Sequence, residues 1–148
     1  MNKAKFVYVI YIETTPEQVW KALVEGEVTR QYWGHENVSD WNVGSPWQHR
    51  KQDGSQVEMV GQVLEIGPPR RLVLTWVLPE DNGNKAKTSR VTFEIEPVKT
   101  MVRLTVTHDE LEEGSKMDRG IREGWPRVLS SMKSFLETGR PLDTWAGK

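Results

Sequence analysis

The amino-acid sequence predicts a single α+β domain in which a strongly bent antiparallel sheet packs against one long C-terminal helix. Apolar residues alternate along several short segments between residues 6 and 108, a pattern that is typical of strands. Beyond Met117 the apolar residues recur at intervals of three and four, as they do on one face of a helix. A length of 148 residues suits one domain that spans residues 1–148.

The composition favours a cytoplasmic protein and argues against several kinds of partner. The chain has no cysteine, so it forms neither a disulfide nor a thiolate site, and nothing indicates an oxidising compartment. It contains no continuous apolar stretch of signal-peptide or membrane-span length, so we expect neither secretion nor a membrane span. The net charge is -1 and the basic residues are spread along the chain, so nucleic acid is not an expected partner.

A strand and a helical corner open the predicted fold. The segment Phe6–Ile12 is apolar on both faces, so we expect this strand to lie inside the sheet. The run from Thr14 to Gln18 offers an N-cap hydroxyl, a proline allowed in the first turn and an acidic residue near the positive helix end, which predicts a helix start. A second short helix is predicted from Val28 to Trp33, with Gly34 as its stop.

Six further strands are predicted before the last helix. Their segments are Val38–Trp41, Trp47–Arg50, Val57–Val63, Leu72–Leu78, Arg90–Ile95 and Val102–His108. Asp53-Gly54 predicts a hairpin turn, and Gly61 within a strand predicts a bulge or a sharp bend of the sheet. One face of the segment Leu72–Leu78 is entirely apolar, so it borders either the core or a cavity.

The last predicted element is a long amphipathic helix from about Met117 to Thr138. Gly139 is a plausible stop, because glycine readily adopts the left-handed conformation that ends helices. Pro126 lies inside this segment and lacks the backbone donor that a helix requires. We therefore expect either a kink near Gly124 or a helix whose regular part begins there.

Four parts of the chain resemble one known family. They are PEQVWKAL at Pro16–Leu23, VGSPW at Val43–Trp47, TVTH at Thr105–His108, and GWPRVL at Gly124–Leu129 followed by FLETG at Phe135–Gly139. With the order of the predicted elements, they are similar to the START-like helix-grip superfamily, also called SRPBCC. The branch that they resemble is named for the activator of the ninety-kilodalton heat-shock protein ATPase, and the resemblance covers nearly the whole chain.

The resemblance implies a particular architecture and a range of functions. The fold would be a curved antiparallel sheet of about six or seven strands wrapped around the C-terminal helix, with two short helices after the first strand. Members typically enclose an apolar cavity between sheet and helix for lipids, hormones, polyketides or other hydrophobic molecules, and a minority are enzymes. The founding eukaryotic activators engage the chaperone through an additional N-terminal domain, and we expect no such domain within these 148 residues, which weakens the chaperone interpretation.

The histidines give little support to metal or acid–base chemistry. His35, His49 and His108 are scattered without metal-ligand spacing, so no metal site and no cofactor are expected. The sequence has no glycine-rich phosphate loop and no nucleophile elbow. His108 ends a predicted strand, where it is either a satisfied histidine at the sheet rim or a polar group at a cavity mouth. His108 and His49 are the candidate proton-transfer groups of an enzyme.

The chain is rich in aromatic residues, with seven tryptophans that belong either to a filled core or to the wall of a cavity. The candidate ligand contacts are Tyr32, Trp33, Trp41, Trp47, Met59, Trp76, Phe93, His108, Trp125 and Met132, and Phe135 belongs to the same lining. We expect Trp76 and Trp125 to face one another across the cavity, and direct contact between them would indicate a small or closed pocket. Glu58, Arg90 and Arg103 are expected to face solvent, unless one buried arginine anchors an acidic ligand head.

Three functions remain open from the sequence. The first is binding of a small hydrophobic or amphipathic molecule beneath the C-terminal helix, by a monomer or weak dimer. The second is an enzyme that cyclises or hydrolyses such a molecule. The third is a chaperone-interacting module, active in the stress response, that uses the outer face of its sheet. An open cavity favours the first two, and a closed core with an exposed apolar patch favours the third.

Overall fold

A computed structural model describes residues 2–51 and 54–143 of the chain. The strands and helices follow the predicted order, and two single turns of 3-10 helix, Pro79–Asp81 and Lys85–Lys87, lie between β5 and β6. The elements are β1 Lys3–Ile12, α1 Pro16–Val24, α2 Gly26–Trp33, β2 His35–Ser39, β3 Pro46–Lys51, β4 Val57–Gly67, β5 Arg71–Trp76, β6 Ser89–Val98, β7 Met101–Glu112 and α3 Lys116–Thr138.

The strands form one antiparallel sheet of seven strands in the order β1-β7-β6-β5-β4-β3-β2. The buried stripe of α3 packs on the concave face of this curved sheet, and α1 and α2 close one side of the core. The α+β helix-grip fold that the sequence predicts is therefore confirmed. No helix among the described residues is long and apolar enough to cross a bilayer.

The first strand lies at the edge of the sheet, so the prediction that it lies inside is wrong. Val7, Val9 and Tyr11 on its outer face are 49%, 47% and 41% exposed. Among the described strands β1 pairs with β7 alone, and α3 runs beside its free edge. There Arg122 donates to the carbonyl of Lys5 at 3.3 Å and Lys133 to the carbonyl of Tyr11 at 2.7 Å. Charged side chains thus protect an edge whose apolar residues reflect strand propensity.

Gly61 lies in β4 close to, but not at, an irregularity of the sheet, because the register of β4 against β5 shifts between Val63 and Glu65. β4 pairs with β3 as far as Gln62 and with β5 from Val63 onward. A Cβ atom at position 61 would lie 2.0 Å from the carbonyl oxygen of Thr75 and 2.5 Å from Nε1 of Trp47. Only glycine permits this close approach. Asp53 of the predicted hairpin turn lies outside the described residues.

The helix ends follow the predicted caps. The Thr15 hydroxyl accepts a hydrogen bond from the backbone N–H of Gln18 at 3.2 Å, and Gly34 ends α2 in the left-handed conformation at φ 88°. α3 runs continuously from Lys116 through Pro126, and Gly139 ends it at φ 82°. The alternative in which the regular helix begins near Gly124 is wrong, because the N-cap of α3 lies two turns earlier.

Candidate functional site

A cavity of about 390 Å³ lies between the N-terminal half of α3 and the concave face of the sheet. This volume falls within the range of about 300–1,000 Å³ that is usual for small-molecule sites. Its wall is mostly apolar, and the exposed side chains of Glu80 and Lys116 contribute opposite charges. The lining residues are Trp33, His49, Met59, Trp76, Leu78, Glu80, Lys116, Met117, Gly120, Ile121, Gly124, Trp125 and Val128.

Three indole rings form the aromatic part of the wall. The ring of Trp125 lies 5.7 Å from that of Trp33 and 5.4 Å from that of Trp76, between ring centroids. Trp76 and Trp125 are thus in contact, yet the pocket is not closed. The space remains because Gly120 and Gly124 place no side chain in this part of the wall, and a Cβ atom at Gly120 would meet nothing within 4 Å.

The structure separates the predicted ligand contacts into three groups. Five of them line the cavity: Trp33, His49, Met59, Trp76 and Trp125. Another five are buried but absent from its wall: Tyr32, Trp47, Phe93, His108 and Met132. Trp41 and Phe135 are only partly buried against the core and do not line the cavity.

His108 is completely buried, so the prediction that it sits at the sheet rim or at a cavity mouth is wrong. β7 continues four residues beyond it, and His108 pairs with Phe6 on one side and Val91 on the other. The indole N–H of Trp125 donates to its Nδ1 at 3.0 Å, which leaves the proton on Nε2. Nε2–H then donates to Ser89 at 2.8 Å.

Both ring nitrogens of His108 are therefore occupied by protein groups. The Ser89 hydroxyl in turn donates to the carbonyl of Trp76 at 2.8 Å, which completes a chain of satisfied hydrogen bonds. Burial lowers the pKa of His108 to about 3, so its imidazole stays neutral. The residue fixes Trp125 against the sheet and has no free nitrogen for proton transfer to a ligand.

His49 is the histidine that reaches the cavity. Its Nδ1 lies 2.8 Å from Oδ1 of Asn37, and the Asn37 amide nitrogen donates to the carbonyl of Leu23 at 2.9 Å. The ring packs against Trp33 with centroids 4.3 Å apart. Burial, with a smaller contribution from His35, lowers the pKa of His49 to about 3. His49 is accordingly a neutral ring, held in one orientation, in an apolar wall.

Two buried ring nitrogens in the part of the chain that the structure describes lack a hydrogen-bond partner, and the two arginines considered as ligand anchors pair with acidic residues. Nε1 of Trp76 and Nδ1 of His35 are buried and have no hydrogen-bond partner among the described residues. Arg90 pairs with Asp109 at 2.7 Å and Arg103 pairs with Glu96 at 3.0 Å, both away from the cavity wall. Neither of these arginines anchors a ligand head there. Residues 2–51 and 54–143 contain no cluster of three histidine or acidic side chains suited to a metal ion.

Eight lining residues are absent from the predicted ligand contacts: Leu78, Glu80, Lys116, Met117, Gly120, Ile121, Gly124 and Val128. Met117, Ile121 and Val128 belong to the same helical stripe as Trp125, which the three- and four-residue spacing does indicate. The two glycines, four residues apart on that helix, were the signal for an unfilled space. Large aromatic side chains indicate the rings of the wall, but they do not indicate a space that is left where side chains are absent.

Comparison with protein families identifies the chain. The family model described as "Activator of Hsp90 ATPase homolog 1-like protein" matches residues 13–137. The chain belongs to this family. The matched region of this Hsp90-activator-like chain runs from α1 through nearly all of α3. It therefore includes every helix and strand that contributes to the cavity. A search of curated proteins found no match.

Solved structures of several other proteins have the same fold. The Aha1 dimer from Colwellia psychrerythraea has a TM-score of 0.76 at 20% identity, over 92% of this chain and 98% of that chain. An HSP90 activator from Plasmodium falciparum has a TM-score of 0.74 at 23% identity, over 89% and 95% of the two chains. A protein from Mesorhizobium loti has a TM-score of 0.75 at 24% identity, over 90% and 96%. At these identities the likeness establishes the fold that this Hsp90-activator-like chain shares with them.

Proposed function

We propose that this protein binds a small hydrophobic or amphipathic molecule in the cavity beneath α3. The observation that carries the proposal is an open space of about 390 Å³ whose wall is built from three tryptophans, two methionines and aliphatic side chains. Indole rings bury a large apolar surface and offer flat faces for ring stacking. Such a surface gains free energy when an apolar ligand removes it from water, at roughly 25 cal/mol per Å².

The polar groups favour binding over catalysis. An acid–base catalyst works best when its pKa lies near the working pH. Burial lowers the pKa of His49 to about 3, which makes it a weak base, and both nitrogens of His108 are engaged by Trp125 and Ser89. The cavity therefore resembles a binding site more than the site of a cyclase or hydrolase.

Gly120 offers a direct test of the binding site. The fluorescent probe N-phenyl-1-naphthylamine should bind the wild type saturably, and fatty acids, sterols and aromatic compounds should be screened for its displacement. Gly120→Trp should weaken probe binding by about tenfold or more, equivalent to about 1.4 kcal/mol, because the added indole occupies the space. Gly120→Ala is the matched control, since it supports the helix without filling the cavity, and it should bind like the wild type.

Two results would count against the cavity as the binding site. One is the absence of saturable probe binding by the folded wild type. The other is unchanged affinity in Gly120→Trp when circular dichroism shows that the variant is folded.

A second candidate function is a chaperone-interacting module. It is supported by the exposed apolar stripe Val7, Val9 and Tyr11 on the outer face of β1, and by the family of Hsp90 ATPase activators to which the chain belongs. We also propose a cytoplasmic location, which the absence of cysteine from the sequence supports. The test is the ATPase rate of purified Hsp90 with and without the chain, and a rate that the chain leaves unchanged would remove this candidate.

A further inference from the structure

His49 lines the cavity, and the hydrogen bonds around its ring define the role of its Nε2 atom. The amide of Asn37 fixes that role, because its nitrogen donates to the carbonyl of Leu23 at 2.9 Å and its Oδ1 must therefore accept. The nitrogen that lies 2.8 Å from Oδ1 is Nδ1 of His49, so Nδ1 carries the proton. Nε2 of the neutral ring is left with a lone pair and is an acceptor.

Nε2 is the ring nitrogen of His49 that remains open to a ligand, because Nδ1 is engaged by Asn37. The ring lines the cavity and is 6% exposed, and its Nδ1 side is engaged by Asn37. No described residue donates a hydrogen bond to Nε2. The indole Nε1 of Trp76 is buried without a partner in the described part of the chain, and the indole nitrogen of Trp33, also in the wall, is a donor, so neither offers a lone pair to a ligand. The polar atom that the histidine can offer to the cavity is thus an acceptor, set among tryptophan rings and aliphatic carbons.

Building on the proposed function, we propose that the cavity selects apolar ring compounds that carry one hydroxyl group, with Nε2 of His49 as the acceptor of the hydroxyl proton. Such a ligand satisfies both the aromatic wall and the free lone pair. A ligand of the same shape without the hydroxyl leaves Nε2 buried and unpaired, which costs about 1–3 kcal/mol, or about 5- to 150-fold in affinity. A carboxylate has no proton to donate, and the wall offers it no buried cation.

Three naphthalene probes of similar size test this selection in the intact chain. Isothermal titration should show that 2-naphthol binds the wild type about 5- to 150-fold more tightly than 2-methylnaphthalene, and 2-naphthoate should bind more weakly than 2-naphthol. His49→Phe keeps an aromatic ring but removes the acceptor, so it should bind 2-naphthol and 2-methylnaphthalene with similar affinity. His49→Gln keeps an acceptor near the position of Nε2 and should restore part of the preference.

Nitrogen NMR of the labelled wild type provides a measurement that does not depend on any variant. It should identify Nδ1 of His49 as the protonated nitrogen and Nε2 as the unprotonated one, and 2-naphthol should shift the Nε2 signal. A proton on Nε2 in the free protein would overturn the inference.

The outcomes distinguish this inference from the function on which it rests. Equal affinities of the wild type for 2-naphthol and 2-methylnaphthalene would overturn the hydroxyl preference while the binding function stands. A preference that survives in folded His49→Phe would overturn the role of His49. Failure of every probe, including the hydrocarbon, to bind would overturn both proposals.

Discussion

Substitution of Gly61 by alanine tests how the bent sheet is held together. The Cβ atom of the alanine would lie 2.0 Å from the carbonyl oxygen of Thr75 and 2.5 Å from Nε1 of Trp47, far inside van der Waals contact. These two atoms also form a hydrogen bond of 2.8 Å with each other. The methyl group cannot fit unless β4 moves away from β5 or the indole of buried Trp47 leaves its place.

The expected loss of stability follows from these contacts. Forced overpacking in a well-packed region costs about 1–3 kcal/mol. Loss of the hydrogen bond from Trp47 to Thr75 adds about 0.5–1.5 kcal/mol. Gly61→Ala should therefore lower the free energy of unfolding by about 1.5–4.5 kcal/mol, and Tm by about 3–18 °C.

Urea unfolding followed by tryptophan fluorescence measures this loss, with Gly67→Ala as the matched control. Gly67 ends the same strand, and a Cβ atom there would meet only the carbonyl oxygen of Arg71 at 3.8 Å, an ordinary contact. The control should stay within about 0.5 kcal/mol of the wild type. If Gly61→Ala were as stable as the control, the close approach of β4, β5 and Trp47 would not be the reason for glycine at this position.

Two further predictions concern the buried polar groups. Because the pKa values of His49 and His108 are about 3 in the folded chain and about 6.5 when unfolded, only the unfolded chain takes up these protons as pH falls below 6.5. The free energy of unfolding should fall by up to about 1.4 kcal/mol per pH unit for each histidine, and His108→Gln should reduce the difference measured between pH 7 and pH 5. Asp118→Asn should cost about 1–3 kcal/mol in urea unfolding, because the carboxylate accepts from the Gly114 N–H at 2.9 Å and from Nε of Arg122 at 2.8 Å. Exposed Glu123→Gln is its control and should change stability by less than about 0.5 kcal/mol, and equal costs for the two variants would contradict the capping role of Asp118.

Local features of the fold can be predicted from the sequence because they depend on residues that are close together in the chain. The Thr15 cap, the Gly34 and Gly139 stops and the stripe of α3 all depend on side chains within one or two helical turns. The strands likewise follow from alternation along the chain. The order of the elements, together with the segments that resemble the family, then suffices to predict the helix-grip architecture.

The position of a strand within the sheet cannot be predicted in this way, because it depends on which strands pair. Nothing in the sequence of β1 distinguishes an edge strand capped by Arg122 and Lys133 from an interior strand that is apolar on both faces. The same holds for His108, which the alternation correctly assigns to the apolar face but not to the buried middle of β7.

The candidate site shows most clearly which features follow from the sequence and which depend on the tertiary structure. Periodicity along the sequence determined the strands and the long amphipathic helix, composition indicated an aromatic lining, and the resemblance to the family implied that the helix lies against a curved sheet. Only the tertiary structure decided which rings fill the core and which border a space, since Trp125 meets Trp33 and Trp76 from distant parts of the chain. The hydrogen bond from His49 to Asn37 and the empty space beside Gly120 likewise arise only when α3 is seated on the sheet.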